Sequence, residues 1–147
     1  MIYTEQTKKA LLLCFEAHKE QKDKSGMPYV FHPFHLAEQM DDEISCCVAL
    51  LHDVAEDTEV TLDELAKDFP QEVIEALKLL THEKDTDYFE YVRRIKDNPT
   101  AKKVKLADLA HNMDRSRIVD SSAVSAEKLN KWDEKYGKAM EILTREI

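Results

Sequence analysis

Apolar side chains recur along this chain at three- and four-residue spacing, the period of a helix with one buried face. Leu11, Cys14, Phe15 and His18 begin the pattern and predict a first helix ending near Gln21. The stretch Lys22-Asp23-Lys24-Ser25-Gly26-Met27-Pro28 breaks the period with Gly and Pro and reads as a loop. Pro33 suits the first position of a second helix, with His32 immediately before it. Residues 44 to about 55 differ, because Cys46-Cys47-Val48-Ala49-Leu50-Leu51 is apolar on every side, as in a helix surrounded by protein. Thr61-Leu62-Asp63-Glu64 is a capping-box pattern, and Pro70 opens a further helix with Val73, Leu77 and Leu80 on one face. Tyr88, Val92 and Ile95 repeat that spacing before Asn98-Pro99, a cap followed by a good first helical residue. Residues 101–113 are nearly apolar apart from their leading lysines, Asp108, His111 and Asn112, which predicts a second enclosed helix. Leu129, Trp132, Tyr136, Met140 and Leu143 stripe a C-terminal helix. No segment alternates as a strand does. The expected fold is all-α, one compact multi-helix domain over residues 1–147.

Composition narrows this picture. With 43% hydrophobic residues in 147, the chain can bury a core without a disulfide or a structural metal. Only two glycines among 35% charged residues favour helices over tight hairpins. The net charge of −9 comes without a basic stripe, which argues against nucleic acid as a partner. A phosphorylated small molecule remains compatible, given local compensation by metal or lysine. Cys14, Cys46 and Cys47 are odd in number and two are adjacent, poor material for disulfides and suited to a reducing compartment. No signal stretch opens the chain, and no apolar run approaches the roughly 20 residues of a membrane span. The expected location is cytoplasmic, with no membrane partner. Nothing in the sequence sets an oligomeric state.

The chemistry concentrates at the end of the segment 44–55. His52-Asp53 follows the apolar run and Glu56-Asp57 comes one turn later, so helical spacing stacks four ionisable groups. Buried carboxylates without partners cost several kcal/mol each, roughly, and a divalent cation removes that cost while accepting neutral imidazole. Asp108, an acid inside Val104-Lys105-Leu106-Ala107-Asp108-Leu109-Ala110, is a candidate distant ligand, and His32 beside Pro33 is another. Two His and two Asp leave positions open for water on a six-coordinate ion, which suits Mn²⁺ or Fe²⁺ better than a closed zinc site. Taken singly, each residue has a plainer role: an exposed helix end for His52-Asp53, a surface pair with Lys105 for Asp108, a loop position for His32. The combination on two apolar helices points to a shared site. Among the remaining groups, His18 is expected as a satisfied core histidine, His35 as solvent-facing, His82 as part of a polar helix end, and His111 as support behind Asp108. Tyr136 and the cysteines read as core.

Together these segments resemble the His-Asp (HD) phosphohydrolase superfamily, in particular the hydrolase domain of RelA/SpoT-type alarmone enzymes. The resemblance runs from about Ala17 to Met113. Its pieces are Ala17-His18 with Gln21, Lys24-Ser25-Gly26 with Pro28-Tyr29, His32-Pro33, Leu50-Leu51-His52-Asp53-Val54 with Glu56-Asp57-Thr58, and Val104-Lys105-Leu106-Ala107-Asp108 with His111-Asn112-Met113. The resemblance implies His32, His52, Asp53 and Asp108 as metal ligands, Mn²⁺ as the ion, and Glu56 and Asp57 as servants of the attacking water. It implies Lys24, Ser25 and Asn112 as lining of a nucleotide pocket. The implied reaction removes pyrophosphate from the 3′ position of guanosine tetra- or pentaphosphate. Asp23, Leu109 and Asp114 stand where that family usually has basic residues, and an acid facing a base and a polyphosphate is expected to weaken binding.

The expected chemistry is metal-assisted hydrolysis, with Glu56 or Asp57 accepting the proton and Lys24 offsetting phosphate charge. Two alternatives stay open at this stage: the same chemistry on another nucleotide or phosphorylated metabolite, and a non-catalytic nucleotide-binding module.

Overall fold

The computed structural model describes residues 1–119 and 124–145. Among these lie α1 (Glu5–His18), α2 (Phe31–Glu38), α3 (Glu43–Asp57), α4 (Leu62–Ala66), α5 (Gln71–Leu80), α6 (Tyr88–Ile95), α7 (Pro99–Asn112) and α8 (Ala126–Thr144), with a 3₁₀ turn at Arg115–Arg117. The described residues contain no strand beyond an isolated bridge between Lys22 and Pro28. The architecture is all-α, as the periodicity implies.

Side-chain caps set most of the helix starts. Thr61 accepts from Glu64 N at 3.2 Å, and Asn98 accepts from Ala101 N at 3.0 Å with Pro99 in the first turn. Thr4, Asp42, Asp87 and Ser125 do the same for α1, α3, α6 and α8. Such caps are worth about 1 kcal/mol each, because they satisfy backbone donors that a helix start leaves open.

Two boundaries fall elsewhere than expected. α1 stops at His18, where the chain turns: Gln21 N donates to His18 O at 3.0 Å, and His18 Nδ1 lies 2.9 Å from Gln21 Oε1. α2 begins at Phe31, so His32 sits inside its first turn, and Pro33 occupies a position whose missing N–H costs no helical hydrogen bond. On α1, Cys14 and His18 are buried, but Phe15 is 51% exposed and does not belong to the core face.

α3 is the axis of the molecule. Its residues from Ser45 through Val54 are buried without interruption, and α1, α2, α5 and α7 all pack on it. This is why its sequence is apolar all round. α7 departs from that expectation. It buries Ala101, Val104, Asp108 and Leu109, a single stripe, while Ala110 is exposed. Its apolar composition reflects packing against α2, α3, α5 and α8 on one side, with half-covered flanks. Cys14, Cys46 and Cys47 are buried and free, with burial pushing the Cys14 and Cys47 thiols up to about 12, so they act as small core residues.

Between α1 and α2 a tight turn follows the Lys22–Pro28 bridge. Gly26 takes φ +81°, and its N–H donates to Asp23 O at 3.0 Å while Asp23 N donates to Met27 O at 2.8 Å. A residue with a Cβ strains there, so glycine is what lets the turn close and present Lys24 and Ser25.

Leu50, fully buried in α3, is expected to cost about 2–5 kcal/mol on Leu50→Ala, against roughly 0.5 kcal/mol or less for exposed Leu12→Ala. Urea denaturation of both variants measures the contrast.

Candidate metal centre

Three helices bring the four candidate ligands together, Asp108 meeting the group through the two histidines. His32 comes from the first turn of α2, His52 and Asp53 from the late part of α3, and Asp108 from the buried stripe of α7. All four are buried. His32 Nε2 lies 2.8 Å from Asp108 Oδ1, and His52 Nε2 lies 3.0 Å from Asp53 Oδ2 and 3.7 Å from Asp108 Oδ1. Ligand atoms of His32, His52 and Asp53 fall within 4.8 Å of one another. Side chains 76 positions apart thus share one pocket in the core.

Hydrogen bonds on the far sides of the rings decide what the near sides offer. His52 Nδ1 lies 2.6 Å from Ala49 O, which can only accept, so this nitrogen carries the proton. In a neutral ring Nε2 then holds a lone pair, aimed at two carboxylates. That nitrogen is buried and makes no hydrogen bond despite its closeness to Asp53. Acceptors facing acceptors require a proton or a metal ion between them, and this is the observation that makes the donor set fit a divalent cation. His32 is held from its far side too: its Nδ1 lies 2.7 Å from His111 Nδ1, with the rings parallel at 4.9 Å, while its Nε2 meets Asp108 Oδ1 at 2.8 Å. His111 thus supports a candidate ligand, as expected, and does so through His32. His35 is exposed and stacks on His111 at 4.2 Å.

The carboxylates are held from behind as well. Tyr29 Oη donates to Asp53 Oδ2. Lys105 Nζ donates to Asp108 Oδ2 at 3.0 Å, and Asn112 Nδ2 donates to Asp108 Oδ1 at 3.2 Å. The Lys105–Asp108 pair is therefore real but largely buried, not the weak surface pair that spacing alone allowed, and it coexists with the cluster. His18 is only half satisfied: Nε2 is buried without a partner, and its ring leans on Tyr29 at 5.2 Å. His82 closes the polar end of α5 by donating from Nε2 to Thr86 O at 2.7 Å.

Electrostatics record the same deficit of positive charge. Burial alone would lower the His52 imidazole, but the Asp53 and Asp108 carboxylates raise it well above its ordinary range. Burial would raise Asp108, yet the Lys105 ammonium and the imidazoles hold it well below the usual carboxylate range. In the metal-free protein a proton on His52 does part of a cation's work. Glu56 and Asp57 close α3 at the solvent edge of the site. Partial burial, then the charges of Asp53 and Asp57, push the Glu56 carboxyl up to about 7. Asp57 is raised by burial and by Asp53.

A cavity of about 370 Å³ opens beside the centre and meets it at Tyr29 and His32. Lys24, Ser25 and Asn112 all line it. So do Trp132 and Tyr136 of α8, and Tyr136 packs against the core as well, as expected of it. The stripe divides in two: Leu129, Trp132 and Tyr136 are half-buried and wall the cavity, while Ala139 and Leu143 close the core. Of the segment 116–125, residues 120–123 lie outside the described residues.

With this geometry established, the relatives take on meaning. The family profile described as HD domain matches residues 10–134. The chain belongs to the HD domain family. Among curated relatives of this HD-domain chain, guanosine-3′,5′-bis(diphosphate) 3′-pyrophosphohydrolase MESH1 of Mus musculus is 35% identical over 114 residues, covering 67% of this chain and 64% of the relative. The guanosine-3′,5′-bis(diphosphate) 3′-pyrophosphohydrolase of Borreliella burgdorferi is 34% identical over 122 residues, covering 71% of this chain and 18% of the relative. The chain thus spans about a fifth of the bacterial relative and just under two thirds of the mouse one. The solved structure of a protein described as a metazoan ortholog of SpoT that hydrolyzes ppGpp matches with a TM-score of 0.81 and 24% identity, covering 98% of this chain and 88% of that one. That likeness shows a shared HD-domain fold.

The sequence did not single out Tyr29, Lys105 or Trp132 for the site. Tyr29 sits one residue after Pro28 in the loop, and no periodic signal marks it. Lys105 is three residues before Asp108, a spacing equally common on open surfaces.

Glu56 ties stability to pH in the metal-free protein. Its folded pKa of about 7 exceeds the ordinary 4.5, so the folded state keeps a proton that the unfolded chain releases. Stability falls as pH rises across that interval. Asp53, Asp57, Lys105 and His52 are the charged groups acting on it. Glu56→Gln is expected to gain stability over the parent progressively between pH 4.5 and about 7 and then level off, read from urea unfolding with chelator present; a gain independent of pH would contradict this.

Proposed function

We propose that this chain is a metal-dependent phosphohydrolase that removes pyrophosphate from the 3′ position of guanosine 3′,5′-bis(diphosphate). The observation that carries the reading is the buried His52 Nε2, without a hydrogen-bond partner among the described residues, facing Asp53 and Asp108 beside a cavity of about 370 Å³. The names of the mouse and bacterial relatives support the substrate. His32, His52, Asp53 and Asp108 hold the ion, and their mixed N/O character favours Mn²⁺. When bound, a divalent ion supplies Lewis acidity to the phosphoryl group and makes water more acidic.

The protein's own groups do the rest. Glu56 or Asp57 takes the proton of the attacking water as its oxygen bonds to phosphorus and the bond from phosphorus to the ribose 3′ oxygen breaks; that oxygen leaves as a hydroxyl, taking up the proton. Lys24 offsets charge on the phosphates, and Asn112 lines the cavity while fixing Asp108. Tyr29 and Lys105 keep the two carboxylates oriented.

A second reading keeps the chemistry and changes the nucleotide. Asp23, Asp114 and Asp133 line the same cavity, an acidic presence that a polyphosphate must tolerate. Comparing guanosine tetraphosphate with nucleoside mono-, di- and triphosphates in the presence of Mn²⁺ separates the two.

Asp53→Ala is expected to lose both bound metal and turnover. Glu56→Gln is expected to keep its metal while hydrolysis falls by about 10²–10⁴-fold. Elemental analysis and pyrophosphate release on the same preparations test this, and parent-level hydrolysis by Asp53→Ala with Mn²⁺ present would defeat the assignment.

A further inference from the structure

The cavity wall contains an acid–base pair that the proposed hydrolysis does not use. Asp23 and Arg117 both line it, with Arg117 Nη2 3.6 Å from Asp23 Oδ2. The two partners are fixed by different means. Asp23 Oδ1 accepts from Ser25 N at 2.9 Å and Met27 N at 3.0 Å, which locks the carboxylate into the turn that presents Lys24. The acid expected to repel a nucleotide is therefore committed to backbone on one oxygen and to a guanidinium on the other.

Arg117 is anchored twice, since its Nη1 also donates to His111 O at 2.9 Å. Two contacts engage only part of a planar five-donor fork, and the ion pair to Asp23 is long. Of the other cations of the wall, Lys22 is an exposed side chain with nothing among the described residues fixing its ammonium in place, and two more are engaged differently. Arg115 Nη2 pairs with Asp133 at 2.5 Å, and Lys24 Nζ rests 3.8 Å over the Trp132 ring. A nucleotide with diphosphates at both ends needs positive charge at two places. The 3′ end is served by the metal centre. In a chain of net charge −9, the other end needs a cation of its own.

We propose that Arg117 is a specificity-determining residue that binds the 5′-diphosphate of the guanine nucleotide, with Asp23 as the positioning residue that holds its guanidinium at the cavity wall. This rests on the reading above that a nucleotide occupies the cavity. A guanidinium preorganised by a carboxylate and a backbone carbonyl suits two-point recognition of phosphate, because little freedom is lost when the oxygens arrive. Arg117 cancels the negative charge that Asp23 alone would place on the wall and leaves guanidinium donors free to meet a phosphate.

Trp132 is the only tryptophan in the chain and lines this cavity, so its fluorescence reports occupancy without turnover. GDP and guanosine are titrated separately into the full chain, for the parent, Arg117→Ala, Arg117→Lys and Asp23→Asn, with circular dichroism confirming that each is folded. The expected result is that Arg117→Ala weakens GDP about 10- to 100-fold and guanosine less than about twofold, as loss of a charge-assisted contact predicts. Arg117→Lys should fall between, and Asp23→Asn should weaken GDP severalfold. Unchanged GDP affinity in Arg117→Ala, equal loss for guanosine, or a parent that binds neither ligand would each overturn the proposal. Hydrolysis of guanosine tetraphosphate is assayed on the same preparations. A parent that shows the Arg117-dependent preference for GDP without hydrolysis defeats the proposed reaction and leaves the role of Arg117 standing.

Discussion

Inside a helical core, the ring of His52 and the carboxylates of Asp53 and Asp108 converge, with the ammonium of Lys105 buried beside them. An arrangement of that kind costs several kcal/mol, roughly, unless positive charge enters it. The surrounding structure sustains the arrangement. Ala49 O fixes the ring of His52, His111 fixes His32, Tyr29 holds Asp53, and Lys105 with Asn112 holds Asp108. The packing of α2 and α7 on α3 brings the ends of three helices together so that these contacts can form. Cation binding explains why such a cluster is kept in the core: it relieves the electrostatic cost that the fold would otherwise carry.

The site and its cavity divide the charge problem between them. The centre gathers acids and histidines that suit a cation, whereas under the proposed function the cavity wall receives an anion. Acids appear there too, but they are committed elsewhere. Asp23 ties down its turn, Asp114 caps the 3₁₀ turn through Ser116 N at 2.9 Å, and Asp133 pairs with Arg115. α8 contributes on both levels, with aromatic residues toward the cavity and small and aliphatic ones toward the core. A stripe of apolar residues in the sequence does not distinguish these uses, because both faces exclude water.

Much of the fold was legible because helices announce themselves locally. The all-round apolar run from Cys46 to Leu51 marked α3 as the enclosed axis, and Thr61 and Asn98 marked helix starts through chemistry that acts within three residues. The four candidate ligands stood out because buried His and Asp on apolar helices demand a partner. What stayed hidden depends on tertiary contact. The expectation that α7 is enclosed on all sides failed because its neighbours cover only one face. The half-satisfied His18, the buried state of Lys105 and the pairing of Asp23 with Arg117 are set by segments distant in the chain, and no spacing rule encodes them.

The central claim is that His32, His52, Asp53 and Asp108 hold a single cation. Anomalous diffraction at the manganese edge, from crystals grown with Mn²⁺, tests it most directly. The account predicts one strong peak at bonding distance from Nε2 of both histidines and from a carboxylate oxygen of each aspartate. A peak bound elsewhere, or an empty cluster with His52 Nε2 still facing Asp53, would contradict it.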